Sequence, residues 1–319
     1  MNRFTWDEFL ERASDFDETV ARTPEIATFC SSLLWQRTAM EHFFVPGDGD
    51  DLFIVEEEGI WIVFAERENR RIYYPLEACW MFGCPLVGDP AGAFDLLRRA
   101  KDQYLIGPAG FCFGGIRIGG ALQEQIRHRR DSFLQYEEFP GTDCMEIDLR
   151  DGFEGWWERR SRRFRKNMDR LSLPGGASIE DRGSEDPDTV MKLILDIQQR
   201  IYKSGEGNDI FAEPSYRAFY ESLLRELHGR GALRLLVLQR DGEAFAYIFG
   251  GVAGEIYRGF QMSYVEEARE WGAGNLLQLA NLRARAEEGV QRYDLGMHSS
   301  YKERWADRWD RYAGVFFVL

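Results

Sequence analysis

One stretch limits what this chain can fold into. A strand-like run, a turn with glycine at alternate positions and a long amphipathic helix follow one another between residues 255 and 289. The run Glu255-Ile256-Tyr257-Arg258-Gly259-Phe260-Gln261-Met262 is rich in aromatic and β-branched residues, which predicts a strand. After the turn Arg269-Glu270-Trp271-Gly272-Ala273-Gly274-Asn275, the residues Leu276, Leu277, Leu279, Ala280, Leu282, Ala284 and Ala286 recur at roughly helical spacing, and Gly289 stands where a helix would stop. A helix start leaves backbone N–H groups unpaired, and its dipole favours negative charge there. Gly272 and Gly274 lack a Cβ, so a diphosphate can approach their backbone closely. The same pattern also suits an ordinary glycine turn, because a short glycine motif says little by itself.

Charge narrows where such an anion site can lie. The formal net charge is −14, and residues 1–150 carry 27 acidic against 15 basic side chains, while the remainder carries 27 against 25. The first half therefore repels nucleic acid, and a polyanion site belongs in the second. A chain of 319 residues with 44% hydrophobic content buries a substantial core, and its length favours two domains. The polar start Met1-Asn2-Arg3-Phe4 does not resemble a signal peptide, and no apolar run is long enough to cross a bilayer, so a soluble cytoplasmic protein is expected. Cys30, Cys79, Cys84, Cys112 and Cys144 are odd in number and lack CxxC spacing, which points to reduced thiols and no metal site.

In the first half, helices are expected at 5–13 and 24–41, the second with Thr23 as N-cap and Pro24 at its first position. Residues 52–56 and 60–64 predict a hairpin around Glu57-Glu58-Gly59, with a third strand at 71–74. Residues 79–90 read as irregular, 91–103 and 120–130 as helices, 104–106 as a strand, and 137–148 as one or two strands. Phe111-Cys112-Phe113-Gly114-Gly115 is the nearest approach to a phosphate-binding turn here, and it reads as a structural loop.

In the second half, one helix over 151–172 carries Arg159, Arg160, Arg162, Arg163, Arg165, Lys166 and Arg170 beside an apolar stripe of Phe153, Trp156, Trp157, Phe164, Met168 and Leu171. It is either a solvated basic helix docked by its aromatic side or an electropositive wall for cofactor phosphates, an acidic substrate or tRNA. An edge strand at 177–180 precedes helices at 188–203 and 213–228, with 204–209 between them as a lid or a plain connector. Residues 233–238 and 244–252 form a hairpin about Asp241-Gly242, a third strand starts at Gly254, and 311–319 is an apolar closing strand.

The glycine turn fits the Arg/Gln-x-x-Gly-x-Gly/Ala pattern with which GNAT acyltransferases hold the pyrophosphate of acyl-CoA. Downstream, Gly289-Val290-Gln291-Arg292-Tyr293-Asp294-Leu295-Gly296 and Tyr301-Lys302-Glu303-Arg304-Trp305 resemble the end of the GNAT-like domain in CelD-like and FemAB-like proteins. The resemblance implies an α/β fold of the α+β type, a mixed and mostly antiparallel splayed sheet flanked by helices, in two tandem GNAT-like halves. Residues 1–150 would be a degenerate half that shapes the acceptor site, and 151–319 the half with the acyl-CoA site. It places the acyl-CoA or acetyl-CoA co-substrate against Gln261, Met262 and Ser263 on the strand, then Arg269, Trp271, Gly272, Ala273, Gly274 and Asn275.

Acyl transfer to an amine requires a polarised thioester carbonyl, a neutral amine and a protonated leaving thiolate. The resemblance makes Tyr301 the general acid, with a tyrosine packed on the core as the alternative. Lys302 would supply positive charge. Asp294 would receive or orient the amine proton, unless it is an ordinary strand cap. His298 is the natural titrating base near neutral pH, unless it is a surface loop residue. The expected activity is N-acyl transfer from acyl-CoA to an amine of a small molecule, sugar or peptide, with no metal, nucleic acid or membrane partner. The alternatives are aminoacyl transfer from aminoacyl-tRNA and a GNAT-derived binding protein without turnover.

Overall fold

The structure is a computed structural model that describes residues 1–43, 52–67, 70–201 and 210–319. The expected lid at 204–209 lies outside the described residues. The chain forms two units, Met1–Asp143 with Asp310–Leu319, and Cys144–Trp309.

The first unit is built on an eight-stranded sheet. Its strands run in the order Asn2–Phe4, Leu52–Glu57, Ile60–Glu66, Ile72–Tyr74, Gly110–Arg117, Tyr312–Val318 and Gln135–Pro140, with Leu86–Val87 beside Ile60–Glu66. The expected hairpin forms with Leu52 opposite Ala65 and Glu57 opposite Ile60. Glu58 and Gly59 turn it with φ of 53° and 77°, the left-handed pair that matches the twist of the flanking strands. Phe53, Phe64, Phe111, Phe113 and Phe317 are fully buried and make the centre of the core. The helix Pro90–Tyr104, capped by Asp89 onto the Gly92 amide, adds Phe94, Leu96 and Leu97.

Three expectations fail in this unit. Residues 24–41 do not make one helix from Thr23; that residue ends the helix Ala13–Arg22, and helices Thr28–Ser31 and Leu33–Phe43 follow. The Thr23 hydroxyl donates to the Thr19 carbonyl at 2.8 Å and accepts from the Gly88 amide at 2.8 Å, so it is not free to cap a following helix. No strand forms at 104–106; it lies instead at Gly110–Arg117 and contains the supposed loop Phe111–Gly115. Glycine serves packing there, because a Cβ on Gly114 would stand 2.5 Å from the Met81 carbonyl oxygen.

The closing strand also has another partner than expected. Tyr312–Val318 fills the gap between Gly110–Arg117 and Gln135–Pro140. The expected division at 150 therefore shifts to Asp143 and Cys144, and the last ten residues belong with the first unit.

The second unit holds a seven-stranded sheet in the order Arg308–Asp310, Cys144–Asp148, Arg292–Met297, Ile256–Tyr264, Glu243–Ala253, Leu233–Arg240 and Ala177–Asp181. The Asp241-Gly242 hairpin and the edge strand form as their sequences dictate. The basic stretch is two helices, Gly152–Glu158 and Arg162–Met168, because the Ser161 hydroxyl accepts the Phe164 amide and starts a new helix. Their buried Phe153, Trp156, Phe164 and Met168 pack with Trp305, Tyr257 and Tyr293.

Candidate active site

The second sheet opens at its middle. Strands Ile256–Tyr264 and Arg292–Met297 run parallel and pair only through Ile256 with Arg292, Tyr257 with Tyr293, and Arg258 with Asp294. Beyond that point the first stays with Glu243–Ala253 and the second with Cys144–Asp148. A bulge at Phe260, where Phe249 faces Gln261 but Gly250 faces Gly259, bends the departing strand. The result is a wedge whose one wall is the unpaired edge of Gln261, Met262, Ser263 and Tyr264.

The helix Ala273–Glu287 begins against the end of that wall. Gly272 precedes it with φ of 69°, and no side chain caps it. The Asn275 and Leu276 amides donate to the Gly272 carbonyl at 2.9 and 3.0 Å, leaving the Ala273 and Gly274 amides without a backbone partner among the described residues. A Cβ on Gly274 would lie 3.2 Å from Cε1 of Tyr264 and 3.4 Å from Cε of Met262, a tight fit that glycine relieves at the helix start. Leu171 covers the other side, 2.7 Å from where a Gly272 Cβ would stand. Two free amides and the positive end of a 15-residue helix make a site for an anion.

Of the predicted binding residues, Gln261, Met262, Ser263, Gly272, Ala273, Gly274 and Asn275 lie along this wall and helix start. The Gln261 amide donates to the Tyr220 hydroxyl at 3.2 Å, and the Asn275 side-chain oxygen accepts from Arg304 at 2.9 Å. Two predicted side chains point elsewhere. Arg269 is exposed and pairs with Glu266 at 3.1 Å. Trp271 packs on Phe245 with ring centroids 5.0 Å apart, under the Arg240 guanidinium, and so fastens the turn to the neighbouring hairpin.

Of the predicted catalytic residues, Tyr301 and Lys302 are titratable groups shifted by burial, and Asp294 and His298 each meet a charged partner. The Tyr301 hydroxyl reaches toward the Gly274 carbonyl at 3.4 Å and the Asn275 side-chain oxygen at 3.5 Å. Burial pushes it up to about 12, so it holds its proton at neutral pH. The Lys302 amine donates to the Met297 carbonyl at 2.8 Å. Burial, then the Arg258 charge, push it down to about 8, with Asp294 opposing. Asp294 itself is ion-paired to the buried Arg258 and accepts the Gly296 amide at 2.7 Å. It braces the last paired register of the wedge, so it is not a free base. His298 is likewise held: its Nε2 meets Glu303 at 2.9 Å, and its ring lies parallel to Trp309 with centroids 4.5 Å apart.

Sequence reasoning missed Arg258, Arg304 and Leu171 as site residues. Arg258 had one visible signal, a cation in the middle of an otherwise aromatic strand; Arg304 stands three residues after Tyr301, and Leu171 meets the helix start across a chain separation that no spacing rule covers. Among the described residues no group of three or more His, Cys, Asp or Glu side chains could hold a metal ion, and no helix is long and apolar enough to cross a membrane.

A splayed sheet, a bulged wall and an uncapped glycine helix start define the class of acyl-group transferases suggested by the sequence, and comparison with known proteins agrees. Residues 158–305 match the acetyltransferase (GNAT) domain family. Those residues carry a GNAT-superfamily domain, and the two units have a FemAB-like tandem fold. It is similar to the crystal structure of FemX, with a TM-score of 0.69 and 12% identity over 100% of this chain and 98% of that one. A conserved protein of unknown function from Bacteroides thetaiotaomicron follows with a TM-score of 0.62 and 11% identity, covering 96% of this chain and 97% of that one. A tandem GNAT protein from the clavulanic acid biosynthesis pathway gives a TM-score of 0.50 and 14% identity, covering 99% and 97%. Comparison with curated protein sequences returns no match.

Proposed function

We propose that the second unit transfers an acyl group from acyl-CoA directly to an amine. The observation that carries this reading is the wedge ending on the free Ala273 and Gly274 amides. The diphosphate of the donor lies on those amides, and its thioester carbonyl meets main-chain N–H groups along Gln261, Met262 and Ser263. Lys302, lowered to about 8, has a neutral fraction near physiological pH that accepts a proton from the incoming ammonium. The neutral amine then attacks the thioester carbon, the C–S bond breaks as Tyr301 protonates the departing thiolate, and the proton shed by the new amide nitrogen restores the Tyr301 hydroxyl.

A second reading, aminoacyl transfer from tRNA, is favoured by one feature. Arg162, Arg163, Lys166 and Arg170 are exposed and make no ion pair among the described residues, and this run leads straight to Leu171 at the helix start. Phosphates beyond a diphosphate have cations available there. Titration calorimetry with CoA and with tRNA, on wild type and Gly274→Asp, separates the two. A carboxylate at the helix start weakens CoA binding about a hundredfold through repulsion and a blocked approach. CoA affinity unchanged by this substitution removes the helix start from the site, and tight tRNA binding without CoA binding selects the second reading.

A further inference from the structure

Among the described residues of the second unit four large apolar side chains are exposed, Leu173, Tyr264, Met297 and Trp309. Tyr264 belongs to the wedge wall and Leu173 follows the basic helix. Met297 and Trp309, at 50% and 51% exposure, bracket a different spot. Here the Trp309 ring lies flat on His298, 4.5 Å between centroids and only 5° from parallel. Glu303 meets the imidazole from the side at 2.9 Å. Only Oε1 of Glu303 is used by His298, and its side chain is 53% exposed, so the carboxylate still faces solvent. The spot adjoins the chemistry, because the Met297 carbonyl, one residue before His298, is the acceptor for the Lys302 amine at 2.8 Å.

We infer that Trp309, Met297 and Glu303 form the docking platform for the acceptor, and that the acceptor arrives as a cationic primary amine on an apolar or ring-shaped body. The inference rests on the acyl-transfer reading above and names its substrate class. An indole face attracts an ammonium group, worth about twofold to fivefold in affinity at an exposed site. A carboxylate beside it adds opposite charge, and the thioether of Met297 offers a soft apolar contact for the body of the ligand.

The neighbouring cations do not oppose this. Arg304 is turned to Asn275 and lies over the Tyr301 ring, and Arg308 is bound by the buried Glu146. Lys302, on the same short helix as Glu303, is the group that takes the proton once the ammonium has docked. His298, expected as a base, has instead the task of holding the indole in place. A neutral sugar would use the indole face without needing the carboxylate, which gives the test its second arm.

Binding of benzylammonium and of the neutral benzyl alcohol is measured by titration calorimetry on wild type, Trp309→Ala, Trp309→Phe and Glu303→Gln. Benzylammonium is expected to bind wild type at least about tenfold tighter than benzyl alcohol. Trp309→Ala and Glu303→Gln each lose about fivefold or more for the ammonium, while Trp309→Phe keeps most of the affinity. Glu303→Gln preserves the shape and the contact to His298, so its loss reads charge alone. Equal affinity for alcohol and ammonium, or ammonium binding indifferent to Trp309→Ala in a variant that melts like wild type, overturns the platform. CoA affinity is followed in parallel. If CoA does not bind but the ammonium pattern holds, the donor reading falls and the platform stands; unchanged CoA binding with no ammonium preference leaves the reverse.

Discussion

The two sheets of this protein treat a similar local design in opposite ways. In the first unit, Gly110–Arg117 pairs with Tyr312–Val318 from one end to the other, Tyr312 opposite Arg117 and Val318 opposite Gly110. In the second, Ile256–Tyr264 and Arg292–Met297 part after three registers. The glycines differ in the same sense. Gly114 is pressed on by the backbone of Met81, whereas Gly274 meets only the side chains of Tyr264 and Met262 and leaves its amide bare. The first sheet also holds a short parallel pair, Ile72 with Gly110 and Tyr73 with Phe111, but the helix between those strands is capped by Asp89, whereas Ala273–Glu287 has no side-chain cap. Sheet edges and helix ends are the places where a fold retains unsatisfied backbone groups, so the uncapped helix start beside the diverging strands is the one left with amides for a ligand.

The comparison is sharpened most by Lys302→Met. Loss of the proton acceptor should slow transfer by about a thousandfold and remove a rise in rate through pH about 8, the value to which burial depresses the amine. Stability should move the other way. The amine is held below its unfolded value of about 10.4, so the cost of charging it is present below pH 8 and fades as pH rises toward the unfolded value. The variant therefore melts higher than wild type at pH 7 and no higher at pH 10.5; a lower melting point at pH 7 would place Lys302 among the structural residues.

Next in size is Gly114→Val in the first sheet. Its Cβ would stand 2.5 Å from a carbonyl oxygen, and such overpacking costs about 3 kcal/mol. Denaturant melts should show that loss, while the protein that remains folded binds CoA as wild type does. A loss of CoA affinity per folded molecule would mean that the first sheet takes part in donor binding.

The smallest effect is expected from Tyr301→Phe. Removing the hydroxyl should slow turnover about tenfold to a hundredfold and leave CoA affinity unchanged. An unaltered rate takes the tyrosine out of the proton path and leaves it a packing residue beside Trp305.

What the sequence disclosed follows from this contrast. Hairpins with left-handed turns at Glu58-Gly59 and Asp241-Gly242 are local events, and so is the strand, glycine turn and helix of residues 256–287; all were legible. The strand Gly110–Arg117 was not, because its glycines respond to Met81 and Gly83, which only the folded chain brings near. Trp271 and Arg269 show the same limit inside the predicted site. A motif places a backbone, and the side chains then turn to whatever partner is at hand, here Phe245 and Glu266. His298 was visible as a histidine near the chemistry, but Trp309, which decides its role, stands eleven residues later across a turn.

The strand Tyr312–Val318 has a consequence for biosynthesis. When residues 1–143 have emerged from the ribosome, their sheet still lacks the member between Gly110–Arg117 and Gln135–Pro140. The intervening unit, contiguous from Cys144 to Trp309, has every strand of its own sheet translated before that missing member. The nascent chain thus finishes its second globule first, and a stalled or clipped product ending before Tyr312 exposes two aromatic strand edges, a ready target for chaperones and proteases.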